Sequence, residues 1–139
     1  MLIFMSYKLV LKLKIGRELH KAMKKVLVVD DNAVNRKLAV ALLKRRGMYV
    51  QEAESGSLAL EMLQQNGYDT VLLDISMPVM DGKEVCRLIR ANPELVALRV
   101  IAYTAHAMES ERQSIMSAGF DDLLLKPISG QDLLRVLPD

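Results

Sequence analysis

The 139-residue chain reads as one α/β domain: a doubly wound, five-stranded parallel sheet with five helices. Three observations point there. From Val26 onward, short apolar runs alternate strictly with helical patterns. Runs such as Val26–Val29 are continuous rather than alternating in polarity, as in parallel strands covered on both faces. The joints between elements are short, which favours right-handed crossovers and helices on both sides of the sheet.

In chain order, the first strand is Val26–Val29 and ends in Asp30-Asp31. Asn32 can cap a helix from about Ala33, whose Val34, Leu38, Ala41 and Leu42 form an apolar stripe that stops at Gly47. Tyr49–Ala53 is the second strand, and Ser55 or Ser57 opens a helix carrying Leu60 and Leu63 that closes near Gly67. Asp69–Asp74 is the third strand. After it, Pro78 and Gly82 prevent the chain from continuing as sheet. Gly82–Ala91 is helical with Val85, Leu88 and Ile89 inward, and Asn92-Pro93 ends it. Arg99–Tyr103 is the fourth strand and leads to Thr104-Ala105. A helix is expected from about His106 to Ala118, a short fifth strand over Asp122–Leu125, and a brief last helix over Gln131–Leu137.

Composition narrows the function classes. Hydrophobic residues at 51% with 26% charged residues suit a soluble globular chain. A single cysteine, Cys86, excludes an internal disulfide and a thiolate metal site. The net charge of +2 is uneven: residues 1–25 hold seven Lys/Arg against Glu18, so the remainder is acidic. The basic balance is therefore no argument for a nucleic-acid partner. Residues 1–22 form a basic extension of unknown role, either an amphipathic anchor or an upstream start-site extension, and residues 23–139 form the domain. The apolar run Met1–Met5 is too short to span a bilayer, and a cytoplasmic location is expected. No Gly-x-Gly-x-x-Gly or Walker phosphate loop occurs.

In a sheet of this kind ligands bind beyond the carboxyl ends of the strands. The residues there are Asp30, Asp31, Asp74, Thr104 and Lys126. Three carboxylates with Ser76 and no clustered His or Cys describe a hard-cation site, for which Mg²⁺ is the fitting ion. One lysine and one hydroxyl added to it match phosphoryl transfer, with Asp74 as nucleophile and Lys126 neutralising charge on the phosphoryl oxygens.

At these residues the chain resembles the receiver domains of bacterial two-component response regulators, a family that includes the chemotaxis regulator. The resemblance covers residues 24–137. It rests on Val28-Val29-Asp30-Asp31-Asn32, Leu73-Asp74-Ile75-Ser76-Met77-Pro78-Val79-Met80-Asp81-Gly82, Tyr103-Thr104-Ala105 and Leu125-Lys126-Pro127, in that order and spacing. The runs Thr104–Met108 and Lys126-Pro127-Ile128 look most like receivers of hybrid kinases and of single-domain phosphorelay regulators.

The resemblance implies a flavodoxin-like sheet of order 2-1-3-4-5 and a signalling module rather than an enzyme with turnover as its purpose. Asp74 would accept phosphate from a histidine kinase or a histidine phosphotransferase. Asp31, Asp74 and the Ser76 carbonyl would bind Mg²⁺ directly, and Asp30 would act through water. Lys126 would bridge to the phosphate, the bond before Pro127 would be cis, and Thr104 would be the switch hydroxyl. His106 and Ser76, flanking the line of water attack, would modulate the lifetime of the phosphoryl group. Arg36, Lys37 and Ala41 would lie where a histidine-bearing helix docks, and a downstream effector protein would read the switched face.

Two departures stand out. The family's aromatic switch position holds Leu123 here, which points to a differently built readout or a relay role, and neither Tyr103 nor Phe120 obviously replaces the ring. The last helix is also short. Three other readings bear on the same residues. An aspartyl phosphohydrolase wants a carboxylate where Ser76 stands, and a degenerate receiver acting only as a protein-binding module is expected to lack an acid or Lys126. A DNA-binding regulator needs more chain after Lys126 than is present.

Overall fold

A computed structural model describes residues 24–106 and 108–137. The basic extension, with His20, and Pro138 lie outside the described residues. The expected architecture is present. Strands β1 (Lys25–Val29), β2 (Tyr49–Ala53), β3 (Thr70–Asp74), β4 (Arg99–Thr104) and β5 (Asp122–Leu125) form one sheet of order β2-β1-β3-β4-β5. All four pairings are parallel. Five helices connect or follow them: α1 (Ala33–Arg45), α2 (Gly56–Gln65), α3 (Gly82–Ala91), α4 (Glu109–Ser117) and α5 (Gly130–Val136).

Two apolar layers sandwich the sheet. On one face Val26, Val28, Leu72, Ile101, Tyr103 and Leu124 pack against α1 and α5. On the other Leu27, Val29, Val71, Leu73, Val100 and Ala102 pack against α2, α3 and α4. Every residue of β3 is buried, which explains its unbroken apolar character up to Asp74.

Caps fix most helix starts. Asn32 accepts from the Asn35 amide, Ser55 rather than Ser57 accepts from Leu58, and Asp81 accepts from Glu84. The C-cap Asn92 is extended before Pro93, as expected.

Four expectations need correction. The inward face of α1 is Ala39, Val40 and Leu43, whereas Val34 is 78% exposed and Leu38 and Ala41 are also exposed. The cause is Arg36, whose guanidinium donates to the Asp30 carbonyl at 2.7 Å and to Glu52 at 3.0 Å. These bonds fix the roll of the helix, so positions 39, 40 and 43 on the Arg36 side meet the sheet. In α3 the third inward residue is Cys86, and Leu88 is 44% exposed. Finally, α4 starts at Glu109, not near His106. The backbone at 104–106 is held in a side-chain turn instead: Thr104 Oγ1 accepts from the His106 amide at 3.2 Å and donates to the His106 carbonyl at 3.0 Å. The last helix is one residue earlier than expected, at Gly130–Val136.

Two local constraints aim the strand ends. Arg90 donates to the carbonyls of Gly119, Val96 and Leu98 and to the Asp121 carboxylate, tying α3 to the entries of β4 and β5. Gly82 opens α3 directly against the end of β3. A Cβ there would stand 2.2 Å from the Asp74 carbonyl oxygen and 2.9 Å from the Ile75 Cα, both backbone atoms that cannot swing away. Gly82→Ala is therefore expected to lower stability by about 1–3 kcal/mol, the usual cost of overpacking, read as a lower urea midpoint with unchanged slope.

Candidate functional site

The carboxyl ends of β1, β3, β4 and β5 converge on one shallow pit. Continuation of β1 delivers Asp30, fully buried, and then Asp31, which is exposed. The last residue of β3 is Asp74, 3% exposed. Carboxylate oxygens of Asp30, Asp31 and Asp74 lie within 4.8 Å of one another. Lys126, immediately after β5, reaches across the sheet: its Nζ is 3.0 Å from Asp30 Oδ2 and 3.2 Å from Asp74 Oδ1. Its own strand end is held by a bond from the Lys126 amide to the Thr104 carbonyl at 2.8 Å, and the Lys126–Pro127 peptide is cis as expected.

The remaining valences of the acids are partly filled. Asp30 Oδ1 accepts from the Asn32 amide at 2.8 Å, and Asp74 Oδ1 accepts from the Ser76 amide at 3.1 Å. Asp30 Oδ2 faces Lys126 but has no hydrogen bond of good geometry. One ammonium thus pairs with two of the three clustered acids. At an effective dielectric near 20, charges this close repel by about 3 kcal/mol per pair. Burial, followed by the charge of Asp30, pushes the Asp74 carboxyl up to about 6, against the opposing pull of Lys126. An excess of hard oxygen donors, one of them open to solvent, suits a divalent cation that keeps some of its water. The donor set therefore fits Mg²⁺.

The other expected residues lie around this pit. Ser76 and His106 are exposed, on the β3–α3 and β4–α4 loops. The Thr104 side chain is nearly buried, and its hydroxyl is engaged by the His106 backbone. Leu123 is buried with Ala102, Ile115 and Phe120, so the aromatic-switch position is filled by a packed aliphatic side chain. Of the three expected docking residues, Lys37 and Ala41 are exposed, whereas Arg36 is turned inward to Glu52 and Asp30. Cys86 is fully buried, and burial raises its thiol to about 11, which makes it an inert core residue.

Tyr103 adds a contact to the site that the strand pattern alone does not assign. It is fully buried, and its ring centroid lies 4.7 Å from Lys126 Nζ. The signal was in the register: Tyr103 pairs with Leu124, and Lys126 follows two residues later on the same face. Its hydroxyl makes no hydrogen bond of good geometry; burial, with added repulsion from Asp30 and Asp74, pushes it up to about 12.

Comparison with known proteins agrees with this geometry. The family model for the response regulator receiver domain matches residues 26–137. The chain belongs to that family. It is 40% identical over 126 residues to the sensor protein GacS of Pseudomonas syringae pv. syringae, covering 88% of this chain and 14% of that protein. Against the signal transduction histidine-protein kinase BarA of Escherichia coli K12, identity is 42% over 112 residues, 81% of this chain and 12% of the kinase. The chain thus spans only a small part of these curated relatives. Among solved structures, the chemotaxis response regulator CheY4 of Vibrio cholerae superposes with a TM-score of 0.78 at 30% identity, over 83% of this chain and 96% of that one. The receiver domain of a sensor histidine kinase from Pseudomonas aeruginosa, with a magnesium ion coordinated in its active-site cleft, gives 0.76 at 33% identity, over 82% and 93%. The acidic cluster of this receiver is of a kind that coordinates Mg²⁺ and supports phosphorylation of an aspartate by a histidine kinase. It is a signalling domain, not an enzyme acting on external substrates. No helix among the described residues is long and apolar enough to cross a membrane.

The raised Asp74 carboxyl carries a stability consequence. The folded state binds its proton more tightly than the unfolded chain, so stability falls as pH rises from 3.8 towards 6 and stays reduced above that. With Mg²⁺ chelated, Asp74→Asn is expected to stabilise the protein at neutral pH by on the order of 2 kcal/mol. The gain should vanish as pH falls towards 3.8, as read by urea unfolding across pH.

Proposed function

We propose that Asp74 is the phosphoacceptor of a phosphorelay receiver that takes its phosphoryl group from a histidine kinase or histidine phosphotransferase. The observation that carries this reading is the pairing of one half-buried ammonium, Lys126, with Asp30 and Asp74 beside an open acidic face. An Asp74 oxygen attacks phosphorus as the P–N bond to the donor imidazole breaks, and the product is an acyl phosphate. Asp30, Asp31, Asp74 and the Ser76 carbonyl would hold Mg²⁺, which supplies charge neutralisation on the phosphoryl oxygens when bound. Lys126 follows its charge from the Asp74 carboxylate to the new phosphoryl oxygens, staying within the same pit. No general base is needed, because Asp74 attacks as the carboxylate.

Thr104 is the switch in this reading. Its hydroxyl must leave the His106 carbonyl to donate to a phosphoryl oxygen, and the β4–α4 loop moves with it. With Leu123 packed rather than an aromatic ring swinging, the state is read mainly through that loop. This suits a relay domain, or an effector that contacts the loop itself. The identity of the chain to parts of sensor kinases supports a kinase or phosphotransferase as the donor. The side of α1 bearing Lys37 and Ala41, with exposed Val34 and Leu38, is the surface offered to it; Arg36 belongs to the fold.

Intact mass after incubation with Mg²⁺ and acetyl phosphate tests the acceptor. One phosphate adduct is expected on the wild type, none on Asp74→Asn, and none with a chelator present. An adduct surviving in Asp74→Asn contradicts the assignment, and no adduct on either protein returns the chain to a phosphate-independent binding module. Ser76 and His106 flank the approach of water to the phosphoryl group. Changing either to alanine is expected to alter the decay rate several-fold at unchanged stability, measured by loss of the adduct over time. Unaltered decay in both variants removes them from that role.

A further inference from the structure

Lys126 has to hold its charge where both acids and an incoming phosphoryl group can use it, yet its side chain comes from the outermost strand on that side. Two of its contacts are the carboxylates at 3.0 and 3.2 Å. The third is the face of Tyr103, 4.7 Å from centroid to Nζ. That distance is within the range of cation–π attraction, and the Lys126 side chain is only 13% exposed, so water competes weakly. The ring itself cannot drift: it is fully buried among Ile101, Leu124, Ile128 and Leu133.

We infer that Tyr103 is a positioning residue for phosphoryl transfer, its ring serving as the platform that keeps the Lys126 ammonium over the acidic pit. The carboxylate contacts alone do not fix that position throughout the reaction. When the charge of Asp74 passes to the phosphoryl group, the Asp74–Lys126 contact weakens and re-forms elsewhere. The quadrupole of the ring is unchanged by the transfer, so it holds the cation equally before and after. The hydroxyl takes no part. Its one polar contact is a weak one with the Ile128 backbone, outside good hydrogen-bond geometry, and the ring is sufficient.

This inference rests on the phosphoacceptor reading, so the test separates the two. The rate of adduct formation is measured against acetyl phosphate concentration in Mg²⁺. Tyr103→Phe is expected to react within about twofold of wild type and to be about as stable, because the buried hydroxyl it removes makes no hydrogen bond of good geometry. Tyr103→Leu is expected to react about tenfold more slowly, the loss expected of one desolvated cation–π contact. Phenylalanines carrying two and then five fluorines at position 103 keep the ring's shape while cancelling its quadrupole, and should slow the reaction stepwise. In a Lys126→Met background, all of these variants should react alike, since the ring acts only through the ammonium.

A rate independent of fluorination overturns the inference, as does an equal loss from Tyr103→Leu with and without Lys126. A Tyr103→Phe variant as slow as Tyr103→Leu transfers the role to the hydroxyl and also overturns it. Independently of phosphorylation, NMR should find the Lys126 ε-methylene protons shifted upfield by the ring in wild type and Tyr103→Phe but not in Tyr103→Leu. If wild type takes no phosphate but this shift is present, the acceptor reading fails while the platform stands.

Discussion

The ion pairs that Lys126 makes with Asp30 and Asp74 are the constraint on which the rest of this receiver depends. They join the ends of the first, third and fifth strands, which lie far apart in sequence and meet only if the sheet has the order 2-1-3-4-5. Buried ion pairs add little net stability compared with apolar packing, but removing the ammonium strands Asp30 and Asp74 at a cost of about 3–5 kcal/mol. The fold therefore gains no rigidity from having the acids. It has to be rigid already, and it is: β3 is buried end to end, Gly82 seats α3 on the Asp74 carbonyl, and Arg90 fixes the entries of β4 and β5.

The same pit is a source of strain in the electrostatic sense. Three carboxylates cluster beside one ammonium that pairs with two of them, and burial has already pushed Asp74 up to about 6. Everything that relieves the excess negative charge stabilises the fold, and a divalent cation does so most effectively. The proposed phosphoacceptor is thus also a carboxylate whose charge the fold tolerates poorly. Nearby, the Thr104 hydroxyl is satisfied by the His106 backbone rather than turned into the pit. A phosphoryl oxygen would compete for that hydroxyl against one neutral hydrogen bond, a contest decided by about 1 kcal/mol against a charge-assisted bond roughly twice as strong. In the proposed switch, that small margin would let the loop exchange between two arrangements.

Much of this was readable from the chain, for a definite reason. Strand runs covered on both faces leave no ambiguity of side, and their last residues must emerge at one edge of a parallel sheet, so the sequence pattern alone gathers Asp30, Asp31, Asp74, Thr104 and Lys126. Helix faces were harder. In α1 two apolar stripes compete, Val34-Leu38-Ala41-Leu42 and Ala39-Val40-Leu43, and periodicity cannot choose between them. The choice was made by Arg36, a charged residue whose partners Asp30 and Glu52 are distant in sequence or backbone atoms. For α3 the small Cys86 fits the sheet where the larger Leu88 was expected. The start of α4 was misplaced because a threonine side chain closed a turn that a helix would otherwise have taken. In each case a polar or steric contact between elements overrode a local pattern.

The acids outnumber Lys126, and Asp31 is the solvent-facing member of a cluster suited to a cation. The most direct measurement is the urea midpoint with and without Mg²⁺ for wild type and for Asp31→Asn. Binding to the folded state alone raises stability with ligand concentration, so wild type should shift upward steadily as Mg²⁺ is added. Asp31→Asn should shift far less, while being no less stable without the metal. Equal shifts in both proteins, or no shift in wild type, would contradict the account.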